Sequence, residues 1–407
     1  MATTYLSRAA ADFGTPTNRK KCTISFWLKR ASLTVQQAVM GVETTPAGGA
    51  NEARFILRGD DTLEFYDYQS GYKFRYITNR LIRDTSGWYN IVLAVDTTHP
   101  TGSERVKIYI NGVQETSFSS STDPAQDLDT FINSGNYLQI GRQSTGNSYL
   151  NGSLSHYNFI DGTTYDATAF GSTDSTTGEW KINTTPTVSY GTNGFFILKD
   201  GNSVTDASTN TNNFTVSGGT LTKTEDNPSN VFSVWNSLAN QGSVPLYNGN
   251  TRAVFTAGGW NFVYSTLGAS SGKYYYEVKA ANTGSDSNIG IMEMDTATNE
   301  QGTADNVGKN TESVAYASNG SIKKNNVTVQ TGLGSISTGE IVGIAMDLDN
   351  NTVQFYLQGV SRGTAVSIAS DKTYAFATSG YGSAEHHTNF GNGYFETTAV
   401  SSAGTNA

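Results

Sequence analysis

Two carboxylates held close together can hydrolyse a glycosidic bond, one acting as acid or base and the other as nucleophile or base. In this chain Glu52, Glu64 and Glu104 are isolated from other acidic residues. Asp60 and Asp61 are adjacent, so their side chains would point to opposite faces of a strand. The acidic residues therefore do not indicate a catalytic pair, and we predict that the protein is not an enzyme.

A second chemistry open to acidic residues is calcium binding, because calcium prefers oxygen ligands. Asp123, Asp127 and Asp129 lie close together in the segment STDPAQDLDT. The alternative is that these aspartates cap and bend turns, and short acidic patterns often have this simpler role. Asp347 and Asp349 are better explained as turn formers. Calcium is the one cofactor that the sequence leaves open.

The histidines do not predict a metal site. His386 and His387 are adjacent, and neighbouring side chains on a strand cannot bind one metal ion. We expect this pair at a solvated junction between a loop and a strand. His156 is expected to be half-buried within a strand. No spacing typical of zinc ligands occurs.

Aromatic residues are concentrated between positions 65 and 76. Strict alternation would place Tyr66 and Tyr68 on one face, and Tyr72, Phe74 and Tyr76 on one face. Exposed aromatic rings stack against sugars and dominate the energetics of interfaces. Tyr66, Tyr68, Tyr72 and Tyr76 are therefore the candidate ligand-binding residues. The alternative, which the sequence slightly favours, is that these faces form a core.

The composition indicates an all-β protein. Only 15% of the 407 residues are charged, and the chain contains 22 Tyr and 19 Phe, against roughly 25% charged residues in a typical soluble protein. Its polarity comes from Gly, Ser, Thr and Asn, a mixture rich in turn and strand formers and poor in helix formers. The single cysteine, Cys22, is expected to be a small buried residue of a strand.

Charge and hydropathy exclude several partners. The net charge is −9, and no basic stripe is interleaved with aromatic residues, so we predict no nucleic-acid binding. No apolar run approaches the roughly 20 residues of a membrane-spanning helix, which predicts no membrane insertion. The first residues, MATTYLSRAAADFG, lack the apolar centre of a signal peptide.

Two long hairpins organise the chain, at residues 87–112 and 339–359. In each, a hydrophobic strand ends at an aspartate, a polar turn follows, and an alternating strand returns. Their separation predicts two tandem β-sandwiches. We assign the first to residues 1–170 and the second to residues 230–407. Residues 171–229 form a connecting region that could also complete the first sandwich.

The first sandwich resembles a known family. The segments SFWLKR, GWYNIVLAVDTT, VKIYINGV, YLQIGRQ and YLNGSLSHYNFIDG occur in an order similar to that of concanavalin A-like jelly rolls of the laminin-G/pentraxin type. The resemblance implies binding of glycans or proteins, sometimes through calcium. Enzymes of this fold carry carboxylates in a pattern close to ExDxxE on one strand, and no such triplet occurs here.

The second sandwich resembles a SPRY domain. The resemblance rests on SSGKYYYEVKA, NIGIM, GEIVGIAMDLDNNTVQFYLQGVSRGTA and TNFG. Gln358 departs from the pattern, which usually has Asn before the glycine. SPRY domains are binding modules without catalytic activity of their own, and their ligands usually contact variable loops.

The start of the chain and the region between the domains resemble virion structural proteins of tailed bacteriophages, especially marine ones. The segments concerned are MATTYLSRA, YGTNGFFILKD, ASTNTNNFTVSGG and DNPSNVFSVWNSL. The resemblance implies that Met1 is the natural start and that the protein is located in a virion. Assembly in the host cytoplasm and release by lysis would explain the missing signal peptide and disulfides.

Three functions follow as hypotheses. The first is a tail or head fibre, or a similar appendage, that recognises host-surface glycans. The second is a capsid decoration or tail-structural protein whose sandwiches contact other virion proteins. The third, which the missing carboxylate pair argues against, is a glycan-degrading enzyme. In the first two we expect a homo-oligomer, with a trimer as one option.

Overall fold

The computed structural model describes residues 3–46, 49–143, 148–240, 242–256, 258–295 and 306–400. Met1, the expected natural start, lies outside this described part. The chain forms two compact units: the first comprises residues 1–223 and 227–231, and the second comprises residues 224–226 and 232–407. Strands contain 48% of the residues and helices 3%, which confirms the predicted all-β class.

The first unit consists of two large sheets and a small one. The large sheets have the strand orders β10-β6-β5-β4-β3-β11-β1-β16 and β15-β12-β2-β7-β8-β9, and β13 pairs with β14. Three short 3₁₀ helices, Ala10–Asp12, Gly102–Glu104 and Ala167–Ala169, lie between strands. The strands are β1 (Tyr5–Arg8), β2 (Lys21–Arg30), β3 (Gln37–Glu43), β4 (Asn51–Leu57), β5 (Thr62–Gln69), β6 (Tyr72–Leu81), β7 (Tyr89–Asp96), β8 (Val106–Ile110), β9 (Val113–Glu115), β10 (Phe118–Thr122), β11 (Tyr137–Ile140), β12 (Gly152–Asp161), β13 (Gly171–Thr173), β14 (Trp180–Ile182), β15 (Phe195–Ile197) and β16 (Thr215–Ser217).

Apolar side chains that alternate along these strands form the core between the two large sheets. Phe26 of one sheet packs edge-on against Phe55 of the other, with ring centroids 5.3 Å apart. Cys22 is fully buried, as predicted, and this burial raises the pKa of its thiol well above the usual range. The cysteine is therefore a packing residue rather than a reactive one.

The region that follows residue 170 contributes strands to both large sheets. β15 pairs with β12, and β16 pairs with β1. Other parts of the same region cover the outer face of the six-stranded sheet. There Trp180 donates from its indole nitrogen to Asn90 Oδ1 at 3.0 Å, and it packs near a small apolar cluster containing Val92 and Phe170. The eight-stranded sheet keeps side chains such as Tyr72 exposed on its own outer face.

The second unit also consists of two large sheets, with the orders β17-β20-β29-β22-β23-β24-β25 and β18-β19-β30-β21-β26-β27-β28, and a small pair, β31 with β32. No helix in the described part of the chain is long and apolar enough to cross a membrane. The strands are β17 (Trp235–Asn240), β18 (Leu246–Tyr247), β19 (Arg252–Val254), β20 (Asn261–Ala269), β21 (Lys273–Asn282), β22 (Asp286–Glu293), β23 (Ser313–Ala317), β24 (Ile322–Lys324), β25 (Val327–Gln330), β26 (Ile341–Asp347), β27 (Thr352–Leu357), β28 (Val360–Ser367), β29 (Tyr374–Tyr381), β30 (Glu385–Asn389), β31 (Tyr394–Phe395) and β32 (Thr398–Ala399).

The predicted hairpin of the second unit is formed by β26 and β27, which pair from Val342–Leu357 to Asp347–Thr352. Asp347 accepts hydrogen bonds from the side chain and backbone of Asn350, and it pairs with Lys273 at 2.9 Å. These contacts lower the pKa of Asp347 to about 2, with the hydrogen bond from the Asn350 side chain as the largest cause. The aspartate stabilises the turn, as the sequence predicts.

Both histidines of the adjacent pair lie in β30 and are buried, so the prediction of a solvated junction is wrong: His387 is 9% exposed and His386 is fully buried. Its Nδ1 lies 2.7 Å from Thr378 Oγ1, and its Nε2 lies 2.9 Å from Ser287 Oγ. Burial lowers the pKa of His386 to about 3. The two hydroxyls hold a neutral imidazole between the sheets, which the adjacent sequence positions did not indicate.

This histidine makes the second unit sensitive to acid. Its pKa is lower in the folded than in the unfolded state, so below about pH 6.5 the unfolded chain binds a proton that the folded chain excludes. Each such proton costs about 1.4 kcal/mol of stability per pH unit, down to the folded pKa. We expect His386→Gln to make the free energy of unfolding of the second unit less dependent on pH between pH 6.5 and pH 4 than in the wild type.

The measurement is denaturant unfolding at several pH values. The quantity compared is the slope of the unfolding free energy against pH, because the substitution itself disturbs packing and changes the absolute stability. Equal slopes in the wild type and the variant would contradict the assignment.

Candidate functional site

The candidate site lies on the outer face of the eight-stranded sheet. It is formed where β5 and β6 pair, and its central side chains are Tyr66, Tyr68 and Tyr72, here called the tyrosine face. Tyr66 pairs with Arg75, and Tyr68 pairs with Tyr72 across the two strands. The structure therefore brings together three of the four tyrosines that the sequence singles out.

An irregularity in the pairing of β5 and β6 creates this arrangement. Asp67 pairs with Phe74, but the next pair is Tyr68 with Tyr72, so Lys73 is an extra residue opposite β5. Such a bulge shifts the alternation of side chains by one position. Tyr72 consequently lies beside Tyr66 and Tyr68 instead of sharing a face with Phe74. Strict alternation in the sequence could not predict this shift.

Tyr76 lies on the opposite face from the other three tyrosines. It belongs to the core of the first unit and is 4% exposed. Its hydroxyl donates to Asp123 Oδ1 at 2.6 Å. Burial is the largest cause of a raised pKa of Tyr76, and this hydrogen bond is the second. Tyr76 is therefore a core residue, which is the alternative that the sequence analysis gave to a ligand-binding position.

Within the tyrosine face the Tyr72 ring is perpendicular to the rings of both Tyr66 and Tyr68. The centroid of Tyr72 lies 5.4 Å from that of Tyr66 and 5.3 Å from that of Tyr68, with interplanar angles of 88° and 85°. Tyr72 is 49% exposed, whereas Tyr66 is 6% exposed. Edge-to-face packing of this kind stabilises the rings in fixed orientations. Tyr72 is the ring that an incoming ligand would meet first.

Charged residues of β3 and β4 surround the buried side of the tyrosine face. Glu52 accepts a hydrogen bond from the Tyr66 hydroxyl at 2.6 Å. It also forms an ion pair with Arg54. Arg54 also contacts Glu43, with 3.3 Å between Nη2 and Oε1. Burial and the bond to Glu52 raise the pKa of Tyr66, so its hydroxyl stays protonated and acts as a donor.

A second charged group lies on the β6 side. Glu64 accepts from Arg75 and Arg58, each at 2.7 Å, through different carboxylate oxygens. The Arg75 guanidinium also lies over the Tyr72 ring, 4.9 Å from its centroid. Glu64 therefore orders two arginines, one of which is held against the most exposed ring.

The sequence analysis did not identify most of these charged residues around the tyrosine face. Glu52 seemed isolated, yet Glu43 is its direct partner across β3 and β4, with Arg54 between them. The alternation of Glu52 and Arg54 with the buried Ala53 and Phe55 was a usable signal, because it places both charged residues on one face. The pairing with Glu43 depends on the register of two strands and was not readable locally.

The three aspartates suggested as calcium ligands are held by different partners. Asp123 is bound by the tyrosine hydroxyl described above. Asp127 pairs with Lys20 at 3.2 Å and has a left-handed backbone, with φ 60°, while the backbone carbonyl of Asp129 accepts from Gln69. Within the described ranges, no group of three or more His, Cys, Asp or Glu residues is arranged to hold a metal ion. The contacts of Asp127 and Asp129 agree with a role in shaping the turn.

The chain is a tandem-domain protein, with a concanavalin A-like sandwich followed by a SPRY sandwich, and both domain types fit a binding role. Family comparisons give the same two domains. Residues 3–167 match the laminin-G type of the concanavalin A-like lectin/glucanases superfamily. Residues 273–393 match the SPRY domain.

Solved structures resemble the chain more remotely. The SPRY domain of human HERC1 is 15% identical, with a TM-score of 0.31, and the match covers 38% of this chain and 96% of that one. A carbohydrate-binding protein from Bacteroides ovatus, named as putative, is 17% identical with a TM-score of 0.38; the match covers 55% of this chain and 59% of that protein. None of the curated proteins matches this chain in sequence.

Proposed function

We propose that this protein is a non-enzymatic glycan-binding protein and that the tyrosine face of its first unit is the binding surface. The observation that carries the proposal is Tyr72, a half-exposed ring fixed perpendicular to two neighbouring rings. The apolar face of a sugar ring stacks on an exposed aromatic side chain, and neighbouring polar groups then bind the hydroxyls.

The polar groups beside the rings suit sugar hydroxyls. The Glu52 carboxylate can accept from a hydroxyl, and the Arg75 guanidinium has further N–H groups to donate. Both side chains are already ordered by ion pairs, so binding would immobilise few additional rotamers. The carboxylates Glu43, Glu52 and Glu64 are each engaged by arginine, which supports binding over hydrolysis. A reducing-sugar assay on every glycan that binds tests this point, and release of sugar would contradict it.

Removal of the exposed ring should weaken binding selectively. We expect Tyr72→Ala to reduce glycan affinity by roughly tenfold or more, about 1.4 kcal/mol, as for an aromatic residue at the centre of an interface. The measurement is binding of the purified full chain to an array of bacterial polysaccharides. Tyr274→Ala is the matched control, because Tyr274 is 45% exposed but belongs to the second unit. Equal losses in both variants, or none in Tyr72→Ala, would contradict the proposed surface.

For the biological setting, we propose a virion appendage of a tailed bacteriophage that contacts host-surface glycans. The proposal rests on the sequence resemblance of the start and the inter-domain segments, together with two binding-type domains. It includes other virion proteins as partners and a homo-oligomer, with a trimer as one option. Cryo-electron microscopy of intact particles tests it, since density for this chain at the tail or a head appendage is expected. Absence of the chain from particles would refute it.

The second candidate, a capsid decoration or tail-structural protein, is favoured by one feature of the second unit. Val327 and Val329 of β25 and Val360 of β28 are between 44% and 59% exposed, and both strands are at the edges of their sheets. Exposed apolar edge strands can pair with other chains. Many copies spread evenly over the capsid would support this candidate and weaken the appendage.

A further inference from the structure

We infer that the tyrosine face selects uncharged sugars and that Glu64 is the residue that sets this selectivity. The inference rests on the proposed glycan-binding function and adds the ligand class. Its basis is the pairing of the arginines around the tyrosines, because an ordered guanidinium that is free binds a carboxylate, sulfate or phosphate in bidentate fashion.

Glu64 neutralises two arginines, and one of them, Arg75, is the arginine held over the exposed ring. Its two carboxylate oxygens bind Arg75 Nε and Arg58 Nη1, both at 2.7 Å. The Glu64 side chain is only 6% exposed, so water weakens these pairs less than it weakens pairs at an open surface. The hydrogen bond that Arg58 donates to Glu64 is also the largest cause of the raised pKa of Arg58.

The third arginine of this region is neutralised in the same way. Arg54 is 6% exposed and contacts both Glu43 and Glu52. An acidic sugar would have to displace one of these carboxylates and leave it buried without its partner, which is unfavourable. A neutral sugar can instead donate to the carboxylates and accept from the arginines without separating any pair.

The charges around the tyrosine face balance. The four cations are Arg54, Arg58, Arg75 and Lys73, and the four anions are Glu43, Glu52, Glu64 and Asp60, the last of which lies 3.4 Å from Arg58. Lys73 is exposed and makes no ion pair within the described part of the chain, but a flexible, strongly hydrated lysine lacks the planar donor pair with which an arginine binds a carboxylate. Arg142 is separate: its guanidinium lies against the rings of Tyr5 and Tyr149 at the β1 side of the sheet. The face therefore offers no net positive field to attract an acidic glycan.

The test compares neutral hexose oligosaccharides with the same oligosaccharides carrying a uronic acid. For the wild type we expect at least about tenfold tighter binding of the neutral set, with little change between about 0.05 and about 0.5 M NaCl because no counter-charge is exchanged. Glu64→Gln keeps the shape of the side chain but releases Arg75 from its ion pair and leaves Arg58 paired with Asp60 alone. We expect this variant to gain roughly tenfold in affinity for the acidic set.

Glu104→Gln is the control for net charge. Glu104 is 43% exposed and pairs with Lys107, away from the strands of the tyrosine face, so its removal should leave the preference unchanged. Unfolding curves check that Glu64→Gln is folded. If it is not, Glu52→Gln serves instead, since it removes the negative charge of one carboxylate that pairs with Arg54, and a smaller gain in affinity for acidic sugars is expected.

The outcomes separate the two proposals. Tighter binding of acidic sugars by the wild type, or identical preferences in the Glu64 and Glu104 variants, would overturn the selectivity while leaving glycan binding intact. Absence of binding to both sets would overturn the proposed function and, with it, this inference.

Discussion

Replacement of Phe355 by alanine is expected to destabilise the second unit by about 3–5 kcal/mol, as for other buried phenylalanines. The side chain is fully buried in the core of that unit. It extends from β27 toward Tyr316, with ring centroids 6.0 Å apart. A typical domain is stable by only about 5–15 kcal/mol. A loss of about 5 kcal/mol therefore brings a domain at the low end of that range to its unfolding midpoint. Binding by this unit should be lost through unfolding and not selectively.

Differential scanning calorimetry of the full chain measures this effect, since the transition of the second unit should shift or disappear while that of the first remains. Tyr356→Ala is the matched control. Tyr356 is the next residue on the same strand, but it faces outward toward Tyr275, at a ring distance of 6.3 Å. A Phe355→Ala protein with normal melting and lost binding would contradict the assignment of this hairpin as structural.

The second large effect is expected at Asp61, whose replacement by asparagine should destabilise the first unit by about 3–5 kcal/mol. Its carboxylate binds Arg30 at 3.1 Å and Arg83 at 2.9 Å, and it accepts from the Thr34 backbone N–H at 2.7 Å. The side chains of Asp61 and Arg30 are both completely buried. Loss of the negative charge would leave the Arg30 guanidinium buried without its counter-charge. Asparagine is the informative substitute because it tolerates the left-handed backbone of this position, φ 65°.

The adjacent residue provides the control for Asp61. Asp60 is 55% exposed and pairs with Arg58 at 3.4 Å, so Asp60→Asn should change stability by less than about 1 kcal/mol. Denaturant unfolding of the first unit at neutral pH measures both variants. If the two neighbouring substitutions have similar effects, the buried pair is not the stabilising feature.

The pH dependence of the Asp61 effect has a definite sign. Burial raises the pKa of Asp61, but the Thr34 N–H and the two arginines lower it more, so the net pKa is below its ordinary value. A lowered folded-state pKa contributes stability above the unfolded value of about 3.9 and loses it as the pH falls through the folded pKa. The difference between the wild type and Asp61→Asn should therefore shrink in acid. A difference that grows on acidification would contradict the ion-pair explanation.

Much of the fold could be predicted from local patterns. Alternation along β27 and the Asn350–Asn351 turn signal identify the hairpin of the second unit, and the same reasoning identifies β7 and β8 in the first. Strand alternation and turn chemistry depend on residues within a few positions of one another. The two resemblances extended these hairpins to two sandwiches, which the family comparisons support.

The candidate site was only partly predictable. The aromatic residues were visible in the sequence, but the structure places Tyr72 on the exposed outer face and Tyr76 in the core, so no single assignment describes the whole segment. The bulge at Lys73 decides between them. A bulge depends on how two strands pair, so it has weak local signals.

By itself, the sequence determined the all-β class, the two sandwiches, the absence of internal disulfides and the cluster of aromatic candidates. Only the tertiary structure decided which residues act together. It placed Glu43 opposite Glu52, bound Glu64 to two arginines, and buried His386 between two hydroxyls. The reason is physical: local alternation specifies that a side chain leaves the strand on one side or the other, whereas its neighbours there depend on register, bulges and the strand order of the sheet.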